Sequence, residues 1–194
     1  MIDWDKKLKI HTDGRDDYKE DEHHYPYEPT PYEVLKRLVE SDYLTKETIL
    51  IDYGCGKGRV GFFLSQKIGC RTIGVEYDER MYKIARQNQD SFVGKGDNCS
   101  FVCENAETYQ IEDADAFYFF NPFSVETLER VIYQIMDSYY EKPRSMLLFF
   151  YYPNDEYLSF LMTRDELMVV DEIDCQDLFE GKNQRERILV FEVC

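Results

Sequence analysis

From residue 48 onward, short apolar runs alternate with segments whose apolar positions recur every three to four residues. The runs are Thr48–Tyr53, Arg71–Glu76, Ser100–Cys103, Ala116–Phe120 and Met146–Tyr151. Near-continuous apolar strands of this kind belong to a sheet covered on both faces. Between them the spacing predicts helices over Arg59–Lys67, Glu79–Gln89, Val125–Tyr140 and Glu156–Met162. Leu167–Ile173 and Arg187–Val193 follow as two strands with no helix between them, which predicts an antiparallel pair. The order as a whole predicts an α/β fold, a doubly wound and mostly parallel sheet with a C-terminal hairpin.

Upstream the pattern changes. Residues 1–24 are polar and dense in charge, and they read as a mobile or loosely docked arm. His23-His24 offers two metal ligands, but adjacent side chains rarely converge and no third ligand is in sight, so no metal is assigned. The next stretch, Tyr25-Pro26-Tyr27-Glu28-Pro29-Thr30-Pro31, is aromatic and stiffened by proline. Thr30 suits an N-cap, Pro31 the first helical position and Glu33 a capping box. A helix is expected to run to about Asp42 with Val34, Leu35, Leu38 and Val39 on its apolar face. The division expected is an arm over residues 1–29 and a single domain over 30–194.

Composition narrows the function classes. No apolar run approaches the roughly 18 residues that a membrane span needs. Met1–Arg15 lacks the apolar stretch of a secretory signal, so a cytoplasmic location is expected. The net charge of −16 gives a field that repels nucleic acid, whereas a basic protein or a small molecule is an easier partner. The six cysteines form no C-x-x-C pair and are expected to be buried free thiols, with Cys99 and Cys103 on one strand face.

The chemistry concentrates where the first strand enters Tyr53-Gly54-Cys55-Gly56-Lys57-Gly58. Glycines let the backbone turn sharply and let a ligand approach closely. The helix opening at Arg59 offers unpaired N–H groups at its start, and Glu76 ends the second strand where an acid grips ribose hydroxyls. A dinucleotide site wants a small residue at position 59, so Arg59 disfavours a nicotinamide-dependent oxidoreductase.

With Asp52 before it, this loop resembles the first motif of the class I S-adenosylmethionine (SAM)-dependent methyltransferases, and Val75-Glu76 resembles their ribose-binding acid. The resemblance spans residues 30–194 and implies seven strands, the seventh inserted antiparallel between the fifth and sixth. It implies SAM as cofactor, held by Tyr27, Thr30, Asp52, Tyr53, Gly54, Cys55, Gly56, Gly58, Glu76, Asn105, Ala106 and Asn121. Glu104-Asn105-Ala106 falls where that family meets the adenine ring; alternatively Asn105 is a turn residue. The resemblance implies that Asp52 positions the methionine moiety or orders the loop; alternatively it is a solvated or loop-bonding carboxylate. Lys57 and Arg59 read as surface charges or as contacts to the cofactor carboxylate.

The fourth strand ends in Asn121-Pro122-Phe123, which are the candidate catalytic residues. The Asn121 oxygen and the Pro122 carbonyl could orient an amine lone pair, with Phe123 as a wall; otherwise the segment only turns the chain. It resembles, with one proline missing, the Asn-Pro-Pro-aromatic motif of amino-group methyltransferases. Tyr27-Glu28-Pro29-Thr30 resembles a segment of the seven-strand protein lysine methyltransferases that folds over SAM as a lid, which implies that Tyr25 and Tyr27 shield the methyl group. Tyr151-Tyr152-Pro153 is a further candidate for the acceptor pocket. The function expected is methyl transfer to an amine nitrogen of an unidentified protein or small molecule, the rival being a non-catalytic module that binds SAM or a nucleotide.

Overall fold

The computed structural model describes residues 2–16, 27–94, 98–181 and 183–194. Seven strands form one sheet: β1 (Ile49–Tyr53), β2 (Arg71–Glu76), β3 (Cys99–Cys103), β4 (Ala116–Phe119), β5 (Leu147–Tyr151), β6 (Leu167–Asp174) and β7 (Arg187–Val193). Their spatial order is β3-β2-β1-β4-β5-β7-β6. Neighbours from β3 to β5 pair in parallel, and β7 runs antiparallel to both β5 and β6. The last strand is therefore inserted between the fifth and sixth, as the resemblance implied. The strand order reverses at β1, between β2 and β4, and an open sheet of this kind binds ligands at that reversal.

The helices are α1 (Trp4–Leu8), α2 (Tyr32–Glu40), α3 (Arg59–Lys67), α4 (Glu79–Ser91), α5 (Val125–Glu141) and α6 (Asp155–Leu161). Two apolar layers flank the sheet. One joins α1, α2 and α3 to the β1 and β4 side chains Leu50 and Tyr118; the other packs α5 and α6 on Phe117, Phe119 and Phe150. Side chains of one strand alternate between the layers, so Asp52 and Tyr118 share a face while Tyr53 points to the other. Asp78, Ser124 and Asn154 cap α4, α5 and α6 by accepting from the first-turn N–H groups of Arg80, Thr127 and Tyr157.

Several expectations need correction. Residues 2–16 are not a loose arm: Trp4, Leu8 and Ile10 are buried in the core, with Trp4 edge-on to Phe63 at 5.0 Å. Five of the eight residues from Trp4 to His11 are charged or polar, which hides the apolar pair Trp4 and Leu8 one helical turn apart. Thr30 does not cap α2. Pro31 holds that position and its side chain has no acceptor to cap with, while the Thr30 hydroxyl is bonded to Tyr118. The helix stops at Glu40, before Asp42, whose φ is +61°. All six cysteines are free, but Cys103 and Cys194 are exposed, Cys103 at the end of the edge strand β3. His23, His24 and Tyr25 lie outside the described residues. Among the described residues no helix is long and apolar enough to cross a membrane.

Candidate functional site

At the carboxyl ends of β1, β2 and β4 lies a cavity of about 770 Å³. That is the size of a small-molecule site. The glycine loop makes its floor. Gly54, Gly56 and Gly58 all have positive φ, at +69°, +53° and +90°, so the loop adopts a path that side chains other than glycine resist. Each glycine also makes room for a neighbour. A Cβ on Gly54 would overlap Pro122, one on Gly56 the Tyr27 ring, and one on Gly58 would sit 2.6 Å from the Phe101 ring.

Of the expected site residues, the cavity is lined by Tyr27, Thr30, Asp52, Tyr53, Gly54, Cys55, Glu76, Asn105, Ala106, Asn121, Pro122 and Phe123. Gly56 and Gly58 stand behind its wall. Gly56 donates its N–H to Glu76 Oε2 at 2.8 Å, and Gly58 starts α3.

Asp52 is 3% exposed, and its Oδ2 atom has no hydrogen-bond partner among the described residues. Burial, with the nearby Glu76 charge adding to it, holds its carboxyl well above the usual carboxylate range. An orphaned buried oxygen of this kind costs free energy unless something meets it. Glu76 is raised too. Burial leads, and the backbone N–H groups of Asp78, at 2.7 Å, and Gly56 work against it. Two carboxyl groups at adjacent strand ends thus face a cavity suited to a cation and to hydroxyl groups.

Asn105 is exposed and its Oδ1 accepts from the Glu107 N–H at 2.9 Å, which makes it a turn residue. Asn121 sits at φ +42°. Its Nδ2 donates to the Tyr152 carbonyl at 2.8 Å and its Oδ1 accepts from the Asn154 N–H at 3.2 Å. The amide can take only this orientation, since a carbonyl needs a donor and an N–H an acceptor. Asn121 therefore ties the end of β4 to the segment after β5, leaving one lone pair on its oxygen. Phe123 is buried and its carbonyl accepts from the Tyr157 hydroxyl at 2.6 Å. Tyr152 lies near Phe120, with ring centroids 6.4 Å apart, but it does not line the cavity.

The chain before α2 closes the cavity on one side. Tyr27 pairs with Asp16 in an isolated antiparallel bridge, lays its ring over Gly56 and donates its hydroxyl to the Thr12 carbonyl at 2.6 Å. The Lys57 ammonium lies 4.8 Å from that ring and donates to the Asp13 carbonyl at 2.7 Å. Arg59 is no surface charge. It is 6% exposed, donates Nε to Thr12 Oγ1 at 2.7 Å and Nη1 to the Thr30 carbonyl at 3.3 Å, pairs with Asp13, and stacks on Tyr32 at 4.4 Å. Asp5 completes the cluster, accepting from Thr12 and Tyr32. Burial pushes against its charge, but these donors and Arg59 hold its carboxyl below the usual range. Asn88, on α4, bonds both His11 and the Lys57 carbonyl. None of Asp5, Thr12, Asn88 or Tyr118 stood out in the sequence, because most of their partners lie far along the chain.

A family model described as a methyltransferase domain matches residues 50–139, the stretch that holds the glycine loop, Glu76 and the end of β4. Residues 50–139 are thus similar to a methyltransferase domain. The region outside that match supplies the cavity's near wall and the closing hairpin. A curated protein-lysine N-methyltransferase from Saccharolobus islandicus (strain REY15A) is 32% identical over 66 residues, 34% of this chain and 41% of that protein. The match thus spans about two fifths of that relative's length. Among solved structures, an RNA methyltransferase from Salinibacter ruber in complex with S-adenosyl-L-homocysteine (SAH) is 21% identical, with a TM-score of 0.55 over 86% of this chain and 92% of that one. A TehB-like SAM-dependent methyltransferase from Corynebacterium glutamicum is 18% identical, with a TM-score of 0.57 over 82% of this chain and 86% of that one. These likenesses establish that the chain has the Rossmann-like fold of such proteins. They do not bear out the expectation that nucleic acid is disfavoured, since one neighbour is itself an RNA methyltransferase.

Proposed function

We propose that this chain transfers a methyl group from SAM to an amine nitrogen, with a lysine side chain of a basic protein as the favoured acceptor. The observation that carries the cofactor reading is Asp52, a buried carboxyl with an orphaned oxygen on the floor of the cavity. The residues fit the cofactor. Asp52 would meet the ammonium of its methionine part, Glu76 the ribose hydroxyls, and Ala106 and Asn105 would border the base. SAM supplies an electrophilic methyl group on a sulfonium, and displacement there needs alignment and exclusion of water rather than acid–base chemistry.

The chain's own residues supply that alignment. Tyr27, Pro29 and Thr30 form a strap across the cavity and exclude water from one side. The Pro122 carbonyl and the free lone pair of Asn121 Oδ1 would accept from the incoming amine and aim its lone pair. Phe120 and Phe123 give that end an apolar wall that disfavours a charged ammonium and favours the neutral, nucleophilic amine. A protein acceptor is supported by the acidic balance of the chain, by Glu28 at the cavity rim, and by the likeness to the lysine methyltransferase. RNA acceptors suit that field less well.

The test is incubation with methyl-labelled SAM and a fractionated cell extract. Label in protein, released as methyl-lysine on hydrolysis, is the expected result. Label confined to RNA or to small molecules would overturn the acceptor assignment, and label in no fraction would favour a non-catalytic binding module.

A further inference from the structure

Tyr118 stands on β4, three residues before Asn121, and it is 1% exposed. A tyrosine at that depth in a strand reads as packing. Its surroundings say more. It is the register partner of Asp52 across β1 and β4, on the same face of the sheet, and both line the cavity. Its hydroxyl does not turn back into the sheet but shares a 3.1 Å hydrogen bond with Thr30 Oγ1 on the strap.

Thr30 is held from a second direction as well. Its backbone carbonyl accepts from Arg59 Nη1 at 3.3 Å. One bond comes from the sheet and fixes the side chain; the other comes from α3 and fixes the peptide. Prolines on both sides, Pro29 and Pro31, restrict the backbone there, so a residue fixed at position 30 fixes its neighbours.

We propose that Tyr118 is a positioning residue: through its bond to Thr30 it holds the Tyr27–Pro31 strap closed over the methionine end of the bound cofactor. The proposal rests on the cofactor reading above and adds to it how the cavity stays shut. Burial keeps the phenol protonated well above its ordinary range, so the hydroxyl is present as a hydrogen-bond partner at every working pH. In this arrangement Tyr118 does not touch the reacting atoms. It acts on the residence time of the cofactor and on water exclusion, both of which follow strap closure.

The test is the dissociation rate of labelled SAH from the full chain, followed by rapid filtration after a chase with unlabelled SAM. Tyr118→Phe and Thr30→Val are each expected to release SAH about 3- to 10-fold faster, the span that one neutral hydrogen bond commands. Thr30→Ser keeps the hydroxyl and is expected to restore the wild-type rate. The double variant Tyr118→Phe/Thr30→Val is expected to be no faster than either single one, because both remove the same bond. Trp4, the single tryptophan, reports in each variant whether the folded arm persists. Wild-type release from Tyr118→Phe, or fast release from Thr30→Ser, would overturn the proposal. Failure of the wild type to bind SAH at all would instead remove the cofactor reading, and this proposal with it.

Discussion

The ring of Tyr27 lies where a Cβ on Gly56 would be. The glycine loop and the strap are thus fitted to each other, and a change in one is felt in the other. Gly56 also sits at φ +53° and gives its N–H to Glu76. Gly56→Ala should lose about 1–3 kcal/mol of stability from the strained backbone. It should also lose about tenfold or more in SAM affinity, since either the loop or Tyr27 must move. Thermal melts and calorimetry with SAM check the two effects; an alanine variant with wild-type affinity would show that strap and loop are not coupled.

Arg59 organises the arm. Its guanidinium meets Thr12, Asp13 and the Thr30 carbonyl, and it lies 3.8 Å from Asp5. Removing one partner from a buried ion pair costs about 3–5 kcal/mol, because the other charge is left unmatched. Arg59→Met should therefore melt several degrees lower and shift Trp4 emission to the red as α1 loosens. Arg59→Lys should fall between the two, since an ammonium cannot reach three directions at once. Urea unfolding followed at Trp4 reads both.

Asp52 sets a pH dependence. Its folded pKa lies above the unfolded value, so between those two values the folded state holds the extra proton. Its contribution is then fully favourable below the ordinary carboxylate range and is lost as pH rises through the folded value. Glu76 shifts in the same direction and is present in both proteins compared. Asp52→Asn should remove its share of the slope and raise the melting temperature at neutral pH relative to the wild type. It should also weaken SAM binding. Melts from the ordinary carboxylate range up to neutral pH, in both proteins, decide it; parallel curves would contradict the assignment.

Asn121 joins the ends of β4 and β5 through Tyr152 and Asn154. Asn121→Asp keeps the acceptor for the Asn154 N–H but sets an oxygen against the Tyr152 carbonyl. It should lower methyl transfer about 10²-fold while SAM affinity changes little, as expected for misplacement of the acceptor wall rather than of the cofactor. Equal losses in both would place Asn121 in the cofactor site instead.

The sheet was legible because its signals are local. Continuous apolar runs such as Leu147–Tyr151, the glycine loop and the acid at Glu76 each sit within a few residues of what they build. The strap and the arm were not, because their determinants are partners far apart in the chain. Thr30 has the composition of a cap, yet its hydroxyl is taken by a tyrosine 88 residues away. Arg59 looks like a surface cation until Asp5, Thr12 and Asp13 are folded against it. Asn121 stands out by its place at a strand end, but its hydrogen bonds to the segment after β5 depend on tertiary contacts. Trp4 and Leu8, one turn apart in a charged stretch, were the one local sign that the arm is docked.

The central claim, that the cavity over the glycine loop is a SAM site with Asp52 on its floor, is tested most directly by titration calorimetry of the full chain with SAM. The account predicts one site per chain and at least tenfold weaker binding in Asp52→Asn. Absence of binding at millimolar SAM, or undiminished binding by Asp52→Asn, would contradict it.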